Sequence, residues 1–274
     1  MSWSIESIPS FCITLERRKD RWRRFQDQSG INGLDIKKFI GVDGKTLDIT
    51  NDQRVTTLTK RNIAIKSRRS HEELDTIGGV GCALSHIAVW QWLVNSDHEM
   101  VLIFEDDAII PPKFIETANG LIERTLLKNP KSWDLWLLGG KWEDMTRIPD
   151  EKEVFRIGAF VLFHAYVITR SCAKKLLQDV YPIHCHVDIW VSIYAYMNNI
   201  RLVGTKLMLH QTQQVKTDIQ PEKGCSICKI PTNYEKNNKL VSKTEWRIAQ
   251  ASELVCIGLI IYYLYKQIFK KTLK

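Results

Sequence analysis

Three acids stand together in VLIFEDDAII (101–110): Glu105, Asp106 and Asp107. They close VLIF, an apolar run of the kind that forms a buried strand, and acids are seldom buried without partners. Successive strand side chains alternate between faces. If the extended run continues through 107, Glu105 and Asp107 share a face and Asp106 points away. Two carboxylates on one face repel and raise each other's pKa. A hard divalent cation removes that penalty, and an oxygen-only set suits Mg²⁺ or Mn²⁺. The triplet can instead cap a helix or pair with Lys or Arg, but the apolar strand directly before it favours the cation. Open α/β sheets bind ligands at the carboxyl ends of their strands.

The elements that must position these acids follow from periodicity. SFCITL (10–15) reads as a short buried strand. The basic stretch after it carries Trp22 and Phe25 at helical spacing. GVGCALSHIAVW places Leu84, Ile87 and Trp90 on one helical face. KFIETANGLIERTLL, SCAKKLLQDV and HVDIWVSIYAYM read as further helices. WDLWLLGG (133–140), FVLFHAYVIT (160–169) and RLVGTKLMLHQ read as strands. Strand and helix alternate, and the strands are continuously apolar. That predicts an α/β fold with a mainly parallel sheet flanked by helices.

The chain has 274 residues and a net charge of +8, with basic clumps at 17–24 and 60–71. A positive face favours an anionic partner. The seven cysteines are odd in number and scattered, which argues against a secreted disulfide framework. Without a visible signal peptide, the expected location is cytoplasmic. After about residue 220 the character changes to a polar linker (221–249) and then an apolar helical tail (250–274). The apolar run at 254–265, extended to Phe269, would form a helix of roughly 24 Å, short of the roughly 30 Å of a bilayer core. Flanking Lys266, Lys270 and Lys271 can snorkel. The tail is a candidate membrane anchor, with packing on the domain or on a partner as the alternative.

ITLERRKDRW, GVDG, GVGCALSHIAVW, VLIFEDDAII, WDLWLLGG, HAYVITRSCAKKLL, HVDIW and TDIQ stand in this order. Together they resemble glycosyltransferase family 25, the lipopolysaccharide-type and collagen-type sugar transferases. The likeness covers residues 10–220. It implies a GT-A-like (Rossmann-like) catalytic domain over 1–220 and a nucleotide-sugar donor, usually a UDP-sugar. The implied reaction is inverting transfer of a hexose, galactose or glucose, to a hydroxyl of a glycan or protein. A Mn²⁺ or Mg²⁺ ion would be held by Glu105 and Asp107, with His210 completing the shell. Thr14, Leu15, Arg17, Arg21, Ser85, His86 and Asp106 would form the donor site. Arginine suits bidentate contact with a diphosphate, and helix starts bind phosphate, the role expected of Ser85 and His86.

Inverting transfer needs a general base. Asp188, an acid in an apolar helical stretch, is the candidate, with a helix N-cap as its other reading. Asp218 of TDIQ is a further candidate contact. CSIC (225–228) has metal-knuckle spacing without a second pair. The sequence departs from the family at Gly79, where an acid is common. Two rival readings stay open. Clustered acids also suit a two-metal nuclease or phosphatase, although no nucleic-acid partner is expected. The chain can also be a non-catalytic, nucleotide-binding, membrane-tethered member of the family.

Overall fold

The computed structural model describes residues 3–211 and Ile219. Its elements are β1 (Ser10–Thr14), α1 (Lys19–Gln26), β2 (Ile36–Ile40), α2 (Thr57–Ile65), α3 (Ile77–Asn95), β3 (Met100–Glu105), β4 (Ala108–Ile109), α4 (Phe114–Arg124), β5 (Leu135–Gly139), β6 (Lys141–Arg147), β7 (Val154–Val161), β8 (Ala165–Thr169), α5 (Arg170–Asp179), α6 (Val187–Met197) and β9 (Leu202–Gln211). The expected linker and apolar tail, CSIC and Asp218 lie outside the described residues.

The strands join in the order β2-β1-β3-β8-β5-β9-β7-β6, with β4 paired to β9 off this path. Pairing is parallel for β1–β2, β1–β3 and β5–β9, and antiparallel at β8 and β7. Six of the eight strands on the path therefore point one way, and β8 and β7 run against them. The expected α/β architecture with a mainly parallel sheet stands, with two reversed strands inserted.

Strand alternation sorts the core into two layers. Phe11, Ile13, Val101, Ile103, Leu135 and Leu137 face a cluster that includes Leu84, Ile87 and Trp90 of α3 and Leu176 of α5. Cys12, Leu102, Phe104 and Trp136 face the other way, onto Phe25 of α1 and Phe114 and Leu121 of α4. The central strands are apolar on both faces because both faces are covered. Helix α3 is buried over eleven residues. Its length and apolar character would also suit a membrane span, but here they reflect a core helix between the sheet and α5.

Two expectations about strands change. The stretch 160–169 is not one strand. It breaks at Leu162, which takes a left-handed φ of 70°, into β7 and the reversed β8. The β6–β7 hairpin upstream carries no clean alternation in its residues. The strand before the acids also ends earlier than the alternation argument required. Its last pairings are Ile13–Glu105 and Phe104–Ala165. With no neighbour left to pair, Asp106 and Asp107 leave the strand and form a turn.

Candidate nucleotide-sugar site

A cleft of about 640 Å³ opens over the carboxyl ends of β1 and β3, a volume that suits a small-molecule ligand. Its walls come from the loop after β1, the loop after β2, the start of α3 and the acidic turn. Gly44 and Gly81 allow this construction. A Cβ on Gly81 would meet the Val42 carbonyl oxygen at 2.5 Å, and one on Gly44 would meet that of Ile77 at 2.5 Å. The 42–44 loop thus lies directly on the first turns of α3.

The three acids divide differently from the simple alternation. Glu105 shares the face of Val101 and Ile103, so it points into the α3 layer. There its Oε1 lies 3.1 Å from His86 Nε2. His86 Nδ1 lies 2.9 Å from the Tyr166 hydroxyl oxygen, which accepts from Trp90 Nε1 at 3.0 Å. One proton arrangement satisfies the whole chain. Trp90 donates to Tyr166, Tyr166 donates to Nδ1, and the Nε2–H donates to Glu105. Burial opposes ionisation of Glu105, yet the His86 hydrogen bond and nearby positive charge hold its carboxyl below the usual range.

Asp106 and Asp107 turn the other way, toward α1. Arg21 Nη2 lies 2.6 Å from Asp106 Oδ1 and 2.7 Å from Asp107 Oδ2. Thr14 donates to Asp106 Oδ2 at 2.5 Å, and Gln211 Nε2 donates to Asp107 Oδ2 at 3.1 Å. Burial pushes the Asp106 carboxyl up to about 6, opposed mainly by Arg21. Burial, and then the charge of Glu105, also raises Asp107. Three carboxylates against one guanidinium leave local charge that a divalent cation would offset. Asp107 Oδ1 is buried with no hydrogen-bond partner among the described residues. An orphaned buried carboxylate oxygen in the cleft that Glu105 also lines fits a hard divalent cation.

The cleft gathers Thr14, Leu15, Arg17, Arg21, Ser85, His86, Glu105, Asp106 and Asp107 from the expected set. Their roles change in part. Ser85 and His86 do not open a helix, since α3 starts at Ile77, two turns earlier. Ser85 Oγ instead accepts from Val42 N at 2.8 Å and donates to the Gly81 carbonyl at 2.7 Å, pinning the 42–44 loop. The helix start that faces the cleft is Thr76–Gly78. Thr76 Oγ1 donates to the Ile219 carbonyl at 2.7 Å. Ile219, within TDIQ, also lines the cleft. Arg17 pairs with Asp43 at 2.6 Å and joins Arg18 and Lys45 on the basic wall.

Two expected residues are not in the cleft. His210 is exposed and does not line it. The β4–β9 register sets Ala108 opposite Gln211, alternation turns His210 away, and Gln211 reaches Asp107 instead. Asp188 is also absent from the lining. Its Oδ2 accepts from Leu162 N at 2.8 Å and its Oδ1 from Ile189 N at 2.9 Å. It supports the left-handed Leu162, which does line the cleft. Residues with no clear sequence signal complete the walls, chiefly Lys45, Cys82, Leu162 and Gln211.

Gly79 sits in the first turn of α3, where a Cβ would meet Leu74 Cδ2 at 2.4 Å. Leu74 is fully buried, so it fills the space an acid at 79 would need. Gly79→Glu should therefore destabilise the chain by about 1–3 kcal/mol through overpacking. Chemical denaturation would measure this, and an unchanged midpoint would show that Leu74 moves aside freely.

The family model for glycosyltransferase family 25 (LPS biosynthesis protein) matches residues 7–163. A glycosyltransferase 25 family member of Anopheles gambiae is 32% identical over 172 residues, covering 62% of this chain and 28% of that protein. Procollagen galactosyltransferase 1 of Danio rerio is 30% identical over 174 residues, covering 61% and 28%. A Rattus norvegicus protein named probable inactive glycosyltransferase 25 family member 3 is 26% identical over 245 residues, covering 86% and 40%. The chain thus spans about a third of the length of the curated relatives it matches. The match takes in β1, α3 and the whole acidic turn, the parts that build the cleft, and by it the chain belongs to glycosyltransferase family 25.

Proposed function

We propose that this chain is a metal-dependent, inverting hexosyltransferase that uses a UDP-sugar and an acceptor hydroxyl on a glycan or protein. The observation that carries this reading is the pairing, in one cleft, of an acidic cluster with an unsatisfied buried oxygen and a facing basic wall. Glu105 and Asp107 would hold Mn²⁺ or Mg²⁺. When bound, the cation would supply Lewis-acid stabilisation of the charge that builds on the leaving diphosphate. His86 orients Glu105, and Arg21 with Gln211 orients Asp107. Arg17 and Lys45 are placed to meet phosphate oxygens, and the start of α3 adds backbone donors and its dipole. Thr14 and Leu15 form the floor beside them. The zebrafish relative's name makes galactose the first sugar to test and procollagen the first protein acceptor.

A panel of UDP-sugars with Mn²⁺ tests the reading. Metal-dependent UDP release with one sugar is the expected result. Cleavage of nucleic acid or phosphomonoesters without UDP release would replace it with the nuclease or phosphatase alternative. A non-catalytic, nucleotide-binding role is the second reading. Asp188 favours it, because both of its carboxylate oxygens accept from backbone N–H groups and it does not line the cleft. UDP binding by calorimetry with no release from any sugar would establish that second role.

In this reading the tail at 250–274 tethers a cytoplasmic domain to a membrane. Removing 250–274 should leave UDP release within about twofold and abolish co-sedimentation with vesicles, since an apolar anchor acts independently of the domain it carries. Unfolding of the shortened chain would assign the tail to the core.

A further inference from the structure

Cys82 lines the cleft and has no task in the transferase reading. It precedes His86 by four residues on α3, so the two side chains share a face. Glu105 arrives at that face from the end of β3. The Cys82 thiol, a His86 ring nitrogen and a Glu105 carboxylate oxygen all lie within 4.8 Å of one another. Ligand atoms on a tetrahedral zinc ion, at about 2.0–2.3 Å from the metal, stand roughly 3.5 Å apart. Closing the set therefore takes side-chain shifts of about 1 Å.

We propose that Cys82, His86 and Glu105 form a three-ligand site for Zn²⁺ at the floor of the cleft, with the fourth position open to the cleft. Thiolate, imidazole and carboxylate form a softer set than the carboxylates alone and select zinc over Mg²⁺ or Mn²⁺. The outer contacts suit the task. With Nε2 on zinc, the imidazole proton moves to Nδ1 and faces the Tyr166 oxygen, which Trp90 already anchors. Metal-ligating histidines are usually held in this way. Without metal, burial and the neighbouring acids keep the Cys82 thiol protonated. Loading zinc releases that proton to water. Glu105 is shared with the carboxylate pair of the transferase reading, so zinc here withdraws it from that pair and acts as an inhibitor. The zinc site itself stands without that reading.

Co²⁺ is the probe. Added to the metal-free full-length chain, it should produce the near-ultraviolet thiolate-to-cobalt absorption of a zinc-type site. The band should persist in a Cys225→Ser/Cys228→Ser protein and vanish in Cys82→Ser. If Cys82→Ser does not fold, alkylation of the native chain decides, with saturating Zn²⁺ expected to slow modification of Cys82 by about tenfold or more. No thiolate band in the native chain, a band unchanged in Cys82→Ser, or unprotected Cys82 overturns the proposal. Neither readout involves UDP, so its failure and that of the transferase reading are told apart.

Discussion

Asp107→Asn is expected to slow metal-dependent UDP release by about 10²–10³-fold while the fold stays intact. Asp107 Oδ2 accepts from both Arg21 and Gln211, whereas Oδ1 is buried without a partner among the described residues. An asparagine keeps its carbonyl oxygen on Arg21 and Gln211, so its amide NH₂ must take the place of Oδ1. A donor then points where a cation would need an acceptor. Stability should change by no more than about 1 kcal/mol, because the substitution also removes a like charge beside Glu105. Electron paramagnetic resonance of Mn²⁺ would show the lost binding directly. Full UDP release and unaltered Mn²⁺ binding would show that Asp107 is no ligand.

Arg21→Met should have the largest effect on stability, and the effect should depend on pH. Arg21 is buried and meets both Asp106 and Asp107. Removing one partner of a buried ion pair leaves uncompensated charge and costs roughly 3–5 kcal/mol. The cost exists only while the carboxyls are ionised. The folded pKa of Asp106 is already raised to about 6, against about 3.9 in an unfolded chain. Loss of Arg21, which lowers it, raises it further. For a carboxyl with a raised folded pKa, the unfolded state gives up its proton first as pH rises. Stability is therefore unaffected below about pH 4 and falls as pH climbs through the folded value. The variant should match the native chain near pH 4 and lose several kcal/mol near pH 7.5. Saturating Mn²⁺ should restore part of the loss, because the cation replaces the missing charge. Equal destabilisation at both pH values would attribute the effect to lost packing instead.

These two outcomes rest on parts of the site that were unequally legible in the residues. The place of the acids was readable, because an apolar run ending in charge marks the end of a buried strand. Their division was not. Alternation grouped Glu105 with Asp107, but that requires the strand to continue, and a strand lasts only as long as its neighbours. Here β1 and β8 give out at Glu105 and Phe104. The turn that follows hands Asp106 and Asp107 to Arg21. His210 and Gln211 carry the same lesson, since a one-residue difference in register exchanges the face of every side chain. The β4–β9 pairing chose Gln211. Asp188 was identifiable as an unusual acid, but its partner, the left-handed Leu162, lies in a stretch that reads as one unbroken strand.

The α/β class, the acids at a strand end, the basic stretch after β1 and the ordered motifs of the family were legible in the residues alone. All of these follow from local periodicity, composition and order along the chain. Which charges meet is a matter of long-range packing. Thr14 and Asp106 are ninety-two residues apart in the chain and share a 2.5 Å hydrogen bond. Contacts of that kind depend on strand order, strand length and the register between neighbours. Those are set by the packing of two core layers on one sheet, and no local run of residues contains them.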